Sequence, residues 1–277
     1  MPATSMIGRP SPDWQTLRVR GLCKAFGEGP LILDGVDLTI RKGGFCCILG
    51  PSGSGKSTLL DILAGFEAPS RGSVAYDDRA VTGPGIDRVV IFQDISNALF
   101  PWLTVKENVA FGLKHQGIRR PERDERVREA LALVRLTDHG GKFPSELSGG
   151  MKQRAQIARG LVVEPQVLLL DEPFAALDAF TRRRMQLELK SLWERTRKTI
   201  VFITHDIGEA LTLATDLVVL SAGPGARVLD AFEFTLNGEP GLANAGYTAA
   251  YHRIEQLIEG VVTTSAPNDA APVGQEH

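Results

Sequence analysis

A glycine-rich segment, Gly50-Pro51-Ser52-Gly53-Ser54-Gly55-Lys56-Ser57, sets the class of fold to expect. It fits the phosphate-loop pattern G-x-x-x-x-G-K-[ST], in which backbone N–H groups curve around phosphates, the lysine reaches the β- and γ-phosphates and the hydroxyl binds Mg²⁺. A strand-like apolar run precedes it at 44–49, and a helical pattern follows from Ser57 to Leu63. A glycine-serine linker would not place a lysine here. The segment therefore predicts a nucleotide site in a strand-turn-helix unit.

Two adjacent carboxylates, Asp171 and Glu172, follow the apolar run Val167-Leu168-Leu169-Leu170. Such a run predicts a buried parallel strand, and ligands bind at the carboxyl edge of a parallel sheet. On their own, adjacent acids are usually a solvated turn. In a chain with a phosphate loop, Asp171 is predicted to hold Mg²⁺, directly or through water. Glu172 is then the candidate base that polarises the attacking water.

A third segment, Leu147-Ser148-Gly149-Gly150, precedes a helical pattern at 151–159. Exposed N–H groups at a helix start can form an anion site, although a plain serine cap is the alternative interpretation. One γ-phosphate does not need two such sites from one subunit. The three segments together predict a nucleotide site that a second subunit completes.

In this order, the segments resemble those of the ATP-binding subunits of ABC transporters, and the likeness covers residues 17–223. Gln93 matches a glutamine that touches Mg²⁺ or the attacking water in that family. Asp178 lies in the matching loop after the acidic pair, and His205 matches a histidine that contacts the γ-phosphate. Phe26 stands where the family has an aromatic ring against adenine. Taken singly, these residues could be a surface amide, a helix cap, a strand-end histidine and a core ring.

The resemblance implies ATP with Mg²⁺ as the ligand and two copies that face each other head to tail. Each ATP would lie between the phosphate loop of one copy and Ser148-Gly149-Gly150 of the other. The resemblance implies that the catalytic residues are Lys56, Gln93, Glu172 and His205. The implied nucleotide contacts are Phe26, Gly50 to Thr58, Gln93, Ser148, Gly149, Gly150 and Asp178. The implied Mg²⁺ ligands are Ser57, Gln93 and Asp171.

The implied fold is α/β, a P-loop NTPase core of the RecA-like type with a mainly parallel sheet, an antiparallel β subdomain and a helical subdomain. The predicted ATPase domain spans residues 14–262, with core segments 14–93 and 160–262, a helical subdomain at 94–159 and disordered ends at 1–13 and 263–277. The residue pattern predicts helices at 104–117, 122–136 and 247–259 and a short strand at 227–229.

Composition agrees with one such unit. The 277 residues are 43% hydrophobic, and the 31 basic and 33 acidic residues nearly cancel, with no dense Lys/Arg block that would predict nucleic-acid binding. Cys23, Cys46 and Cys47 are odd in number and lack metal spacing, so buried reduced thiols in a reducing cytosol are expected. No run approaches the roughly 18 apolar residues of a membrane span. We expect a peripheral subunit, held by a permease at the cytoplasmic face of the bacterial inner membrane.

The segment Phe100-Pro101-Trp102 is similar to the nitrate, sulfonate and taurine branch of importers, and Gly83-Pro84-Gly85 and residues 178–182 look most like its taurine members. The implied function is ATP hydrolysis that powers uptake of taurine or a related sulfonate through a separate permease, served by a periplasmic or extracellular substrate-binding protein. Nitrate, another sulfonate or a pyrimidine-type substrate stay open, as does an ABC ATPase without transport. Phe100 and Trp102 are either docking anchors or core residues.

Overall fold

The structure is a computed structural model that describes residues 15–94, 98–234 and 245–264. The strands are β1 (Thr16–Lys24), β2 (Leu33–Arg41), β3 (Phe45–Leu49), β4 (Arg71–Tyr76), β5 (Arg79–Ala80), β6 (Arg88–Ile91), β7 (Val167–Asp171), β8 (Thr199–Thr204), β9 (Asp216–Leu220) and β10 (Val228–Glu233). The helices are α1 (Lys56–Ala64), α2 (Val105–His115), α3 (Arg120–Leu133), α4 (Gly149–Leu161), α5 (Ala179–Thr196), α6 (Ile207–Leu213) and α7 (Ala245–Thr264).

The larger sheet has the order β10-β9-β3-β8-β7-β6, and all its neighbours are parallel except β10 and β9. Its central strands are continuous apolar runs, as expected when both faces of a parallel sheet are covered. Leu49 pairs with Thr204, and Asp171 pairs with Ile203. The phosphate loop, Glu172 and His205 therefore leave the sheet at the same edge.

The smaller sheet is antiparallel, with the order β2-β1-β4-β5. Strand β2 alternates buried and exposed residues, because one face of this sheet packs inward and the other meets water. Its buried side chains share a core with α1 and one face of the larger sheet, including Cys46, Ile48 and Leu169. Both sheets agree with the predicted fold class.

The opposite face of the larger sheet builds a second core with α2, α3, α4 and α5. Phe45 and Cys47 point to this side, since neighbouring residues of a strand face opposite ways. Trp193 packs edge-on against Phe45, with 6.0 Å between the ring centroids, and its Nε1 donates to the carbonyl of Gly43 at 3.0 Å. This hydrogen bond ties α5 to the turn before β3.

The helical elements occur where the residue pattern predicts them. Helix α2 begins after Thr104, whose side chain accepts from the Glu107 N–H while the Glu107 carboxylate accepts from the Thr104 N–H. Helices α2, α3 and α4 lie between β6 and β7, the stretch for which a helical subdomain is predicted. The predicted strand at 227–229 is observed as β10, and the predicted helix at 247–259 as the longer α7.

The predicted disordered ends lie outside the described residues, apart from Thr263 and Thr264, which end α7. The exact domain boundaries stay a prediction. The three cysteines are buried and free, as expected, and burial raises the pKa of the Cys46 and Cys47 thiols. Among the described helices, none combines the length and apolar character that a membrane span requires.

Candidate functional site

The phosphate loop connects β3 to α1 and turns through two left-handed glycines, Gly53 and Gly55, with φ of 79° and 77°. Such angles favour glycine because a Cβ would collide with the backbone. The Lys56 ammonium is buried and donates to the carbonyls of Gly50 and Pro51 at 2.9 and 2.8 Å. Burial lowers the pKa of Lys56, and nearby carboxylates oppose that effect. A cation thus lies inside the loop that is predicted to hold phosphates.

Asp171 ends β7 beside the start of α1. The Ser57 hydroxyl donates to the Asp171 carboxylate at 3.2 Å. Burial raises the pKa of Asp171, while the hydrogen bond from Ser57 lowers it. Two of the three predicted metal ligands, Ser57 and Asp171, are therefore adjacent.

These oxygen donors fit Mg²⁺, which usually takes one or two protein ligands and completes its shell with phosphate oxygens and water. In the described part of the chain, no group of three or more His, Cys, Asp or Glu side chains is arranged to hold a metal alone. A hard cation shared with a phosphate ligand matches this donor set better than a metal held in a closed protein cage.

Glu172 has a strained backbone, because its φ of 40° is left-handed and uncommon for a residue with a side chain. Its N–H donates to the carbonyl of Ile203 at 3.1 Å, which holds the turn against β8. The Glu172 carboxylate then lies 3.0 Å from Nδ1 of His205. Because an ionised carboxylate only accepts hydrogen bonds, a hydrogen bond between these two atoms requires a proton on Nδ1. Strain of this kind concentrates at functional sites.

One open cavity of about 520 Å³ gathers eight of the predicted site residues. Its lining is Ile32, Ser52, Gly53, Gly55, Lys56, Ser57, Thr58, Gln93 and Glu172. Gln93 reaches the cavity from the end of β6, the strand next to β7 in the sheet. His205 borders it through its contact with Glu172. The cavity has the contents expected of a triphosphate site.

Several predicted nucleotide contacts lie outside this cavity, among them Ser148, Asp178 and Phe26. Ser148 starts α4, where its hydroxyl accepts from the Met151 N–H at 3.4 Å. Asp178 caps α5 by accepting from the Thr181 N–H at 2.9 Å. Phe26 is half exposed, with the Lys24 ammonium 4.5 Å from its ring centroid, so the core-ring alternative is wrong. Ser148 and Asp178 are therefore helix caps, as the alternative interpretation predicts. A residue that caps a helix can also contact a second copy of the chain.

The sequence profile of the ABC transporter family matches residues 33–175, a span that contains the phosphate loop, Ser148-Gly149-Gly150 and the acidic pair. The chain belongs to the ABC transporter family. As a member, it is an ATP-binding and ATP-hydrolysing subunit.

The curated relatives of this ABC ATPase include the taurine import ATP-binding protein TauB of Pseudomonas aeruginosa strain UCBPP-PA14, which is 52% identical over 73% of this chain and 76% of the relative. The protein of the same name from Sinorhizobium fredii is 43% identical over 88% of this chain and 91% of the relative.

Solved structures of other members match the fold. The cbiO1 subunit of Clostridium perfringens, described as part of the cbiONQ transporter complex, superposes with a TM-score of 0.73 at 29% identity, covering 80% of this chain and 89% of cbiO1. The ATP-binding cassette MJ0796, a dimer in a post-hydrolysis state with ADP and Pi, gives a TM-score of 0.65 at 31% identity, covering 79% and 99%.

Sequence reasoning missed one polar cluster in this ABC ATPase, beside His205. The buried Glu209 carboxylate accepts from the Thr204 hydroxyl at 2.5 Å and from the Gln186 amide at 3.1 Å. Asp206 and Glu209 have the spacing of a helix capping signature, and Asp206 does accept from the Glu209 N–H at 2.9 Å. That signature could have revealed the cap, but nothing in it indicates the buried network.

Proposed function

We propose that this ABC ATPase powers the import of taurine or a related sulfonate, working as a pair of identical subunits on a separate permease. The observation that carries the proposal is the convergence of the phosphate loop, Gln93 and Glu172 on one cavity, in a chain that is 43–52% identical to curated taurine import subunits. The substrate rests on the names of those relatives, since this subunit has no direct part in choosing it. Nitrate, another sulfonate or a pyrimidine-type substrate are the alternatives.

In the proposed reaction, Glu172 takes a proton from water while the water oxygen attacks the γ-phosphorus of ATP. The bond from that phosphorus to the bridging oxygen breaks, and ADP leaves with the oxygen. His205 orients the Glu172 carboxylate, which the observed 3.0 Å contact supports. Lys56 moves from two loop carbonyls to the phosphates and neutralises charge as it develops.

Mg²⁺ would be held by the Ser57 hydroxyl, the Asp171 carboxylate and the Gln93 amide oxygen. When bound, it neutralises charge on the β- and γ-phosphates. Ser57 and Asp171 would give up their mutual hydrogen bond to face the ion, and the raised pKa of Asp171 would fall beside it.

The second copy is proposed because Ser148 and Gly149 are exposed at the start of α4 and do not line the cavity of their own chain. Exposed N–H groups at that helix start suit a phosphate presented by a partner. ATP would then join the two copies, and its hydrolysis would release them. The dimer reported for MJ0796 with ADP and Pi supports this arrangement.

Docking to a permease is supported by the exposed ring of Trp102. Trp102 is 70% exposed, so the core alternative is wrong for this residue, whereas Phe100 packs on Phe111 with ring centroids 4.6 Å apart. Exposed tryptophan is a frequent interface anchor. A permease held in this way would place the subunit at the cytoplasmic face of the membrane, and a substrate-binding protein would act from the other side.

The catalytic proposal is tested with Glu172→Gln. We expect ATP binding to persist, turnover to fall by about a hundredfold or more, and an ATP-dependent dimer to accumulate, since the loss of a general base costs about 10²–10⁴-fold. The control is Glu164→Gln, which alters an exposed glutamate that also has a left-handed backbone, φ 53°, and does not line the cavity. Phosphate release and size-exclusion chromatography give the readouts. Undiminished turnover in Glu172→Gln would remove this residue from the role of base.

The transport proposal is tested by copurifying the tagged subunit from native membranes and measuring ATPase stimulation by a substrate-binding protein loaded with taurine. Stimulation by taurine is expected. If a permease is recovered but only nitrate, another sulfonate or a pyrimidine stimulates the ATPase, the importer role stands and that compound replaces taurine as the proposed substrate. Recovery of no membrane partner would contradict import and favour an ABC ATPase without transport.

A further inference from the structure

A cluster of arginines surrounds one carboxylate, Glu188, between α4 and α5. Arg154 on α4 donates two hydrogen bonds to Glu188 on α5, from Nε to Oε2 at 2.7 Å and from Nη2 to Oε1 at 3.1 Å. Arg184 Nε lies 3.1 Å from Oε1, and Arg135 Nη1 lies 3.8 Å from the same oxygen. The side chains of Arg154 and Glu188 are only 15% and 16% exposed. This pair is therefore unlike the solvated ion pairs that contribute little.

The same faces of α4 and α5 also meet at the helix starts. A Cβ added to Gly150 would lie 3.1 Å from Thr181 Cγ2. Gly150 and Arg154 are stacked on one face of α4, as residues four apart are, and Thr181 and Glu188 share a face of α5. The glycine contact near the start and the ion pair farther along thus align the two helices.

Apolar packing next to the ion pair is incomplete. Leu133, Val134, Ile157, Met185, Leu189 and Leu192 line a small cavity of about 30 Å³ together with the charged residues. Apolar side chains packed ridge into groove already favour certain angles between helices. The two-bond guanidinium-carboxylate fork adds a directional restraint beside the gap, because its planar geometry has one good orientation.

We propose that Glu188 is a positioning residue for ATP hydrolysis: through Arg154 it fixes the start of α4 relative to α5, and so aligns Ser148-Gly149-Gly150 with the partner's ATP. Asp178, another predicted nucleotide contact that lies outside the cavity of its own chain, caps the same α5. The inference rests on the proposed function, since it assumes that ATP lies between two copies. It assigns to Glu188 a role in the partner's site and none in the phosphate-loop cavity of its own chain.

The test uses the full chain with Glu172→Gln, in which ATP is expected to trap the dimer. Two titrations are compared: the ATP concentration for half-maximal dimerisation, and ATP affinity of the monomer at protein concentrations too low for dimers. Adding Glu188→Gln should raise the ATP concentration for half-maximal dimerisation by about tenfold, which corresponds to about 1.4 kcal/mol. The ATP affinity of the monomer should stay unchanged. Arg154→Lys, which keeps the charge and loses the fork, should share the defect.

Glu122→Gln is the matched control, because Glu122 accepts from Arg126 at 2.7 Å within α3, and this pair does not join α4 to α5. It should leave both titrations unchanged. If Glu188→Gln fails to fold, the double variant Arg154→Met with Glu188→Leu replaces it, since an apolar pair leaves no unpaired charge between the two residues. The same dimerisation defect is expected there.

Unchanged dimerisation in both the Glu188→Gln and Arg154→Lys variants would overturn the inference, as would an equal loss in both titrations, which a purely structural role predicts. A parent Glu172→Gln protein that binds ATP as a monomer but never dimerises would instead contradict the proposed function, and the inference with it.

Discussion

Alanine substitutions at Gly53 and Gly55, the two left-handed glycines of the phosphate loop, should have different effects. The substitution at Gly55 should mainly reduce stability, and the one at Gly53 should also reduce nucleotide affinity. An alanine at either position must adopt φ near 80°, at a cost of about 1–2 kcal/mol. The surroundings differ. A Cβ at Gly53 would meet nothing within 4 Å, whereas at Gly55 it would lie 2.7 Å from Ile32 Cγ2 and 2.9 Å from Leu33 Cδ2. Leu33 is fully buried, so overpacking should add about 1–3 kcal/mol at Gly55.

We therefore expect Gly53→Ala to lower the free energy of unfolding by about 1–2 kcal/mol and Gly55→Ala by about 2–5 kcal/mol. Equilibrium urea unfolding without nucleotide measures both, because bound ligand would add its own stabilisation. Nucleotide affinity is then measured with Mg²⁺ and ATP on the folded Gly53→Ala protein. Its added methyl group enters the open cavity, so affinity should fall although the fold persists.

Destabilisation of the two variants by the same amount, within about 0.5 kcal/mol, would refute the packing argument for Gly55. Wild-type nucleotide affinity in Gly53→Ala would refute the claim that the space beside Gly53 is needed for phosphate.

Three further predictions concern residues around the site. Burial raises the pKa of Glu209 above its ordinary 4.5, so the folded protein holds this proton more tightly than the unfolded chain. The free energy of unfolding should therefore fall as the pH rises from 4.5 through the folded pKa. In urea titrations at several pH values, Glu209→Gln should make this dependence on pH weaker, and an unchanged dependence would exclude Glu209 as its source. Trp193→Phe should cost about 1–3 kcal/mol of unfolding free energy, because the carbonyl of Gly43 loses its donor; a loss under about 0.5 kcal/mol would mean that water replaces it. Trp102→Ala should change the unfolding free energy by less than about 0.5 kcal/mol, since the Trp102 ring is exposed. The same variant should uncouple ATPase activity from transport in the reconstituted complex. A larger loss of stability with intact coupling would instead assign Trp102 a role in the fold.

The chemistry of the site could be predicted where it is encoded by neighbouring residues. The phosphate loop needs glycines, a lysine and a hydroxyl at fixed spacing, so Gly53, Lys56 and Ser57 are recognisable from the sequence alone. The start of α4 is equally local, because a serine followed by glycines and a helical pattern forms a cap wherever it occurs. Apolar strands that end in acids likewise indicate the carboxyl edge of a parallel sheet.

Other features depend on residues that are distant in the chain. Gln93 and Glu172 line one cavity because β6 and β7 are neighbours in the sheet, an order that periodicity does not encode. The left-handed backbone of Glu172 follows from the turn that its N–H makes against β8. The buried contact of Glu209 with Gln186 joins α6 to α5 in the same way. No spacing in the sequence predicts such pairs.

The amino-acid sequence was thus sufficient for the phosphate loop and for the residue types that handle ATP, because short-range spacing and hydrophobic periodicity express them. The fold class with its subdomains followed from the resemblance to ABC transporter subunits. Tertiary structure was needed to learn which predicted residues share one cavity, which lie outside it as helix caps, and that Arg154 and Glu188 join two helices. The physical reason is that strand order and helix packing bring together side chains far apart in the chain, and these contacts depend on the whole folded arrangement.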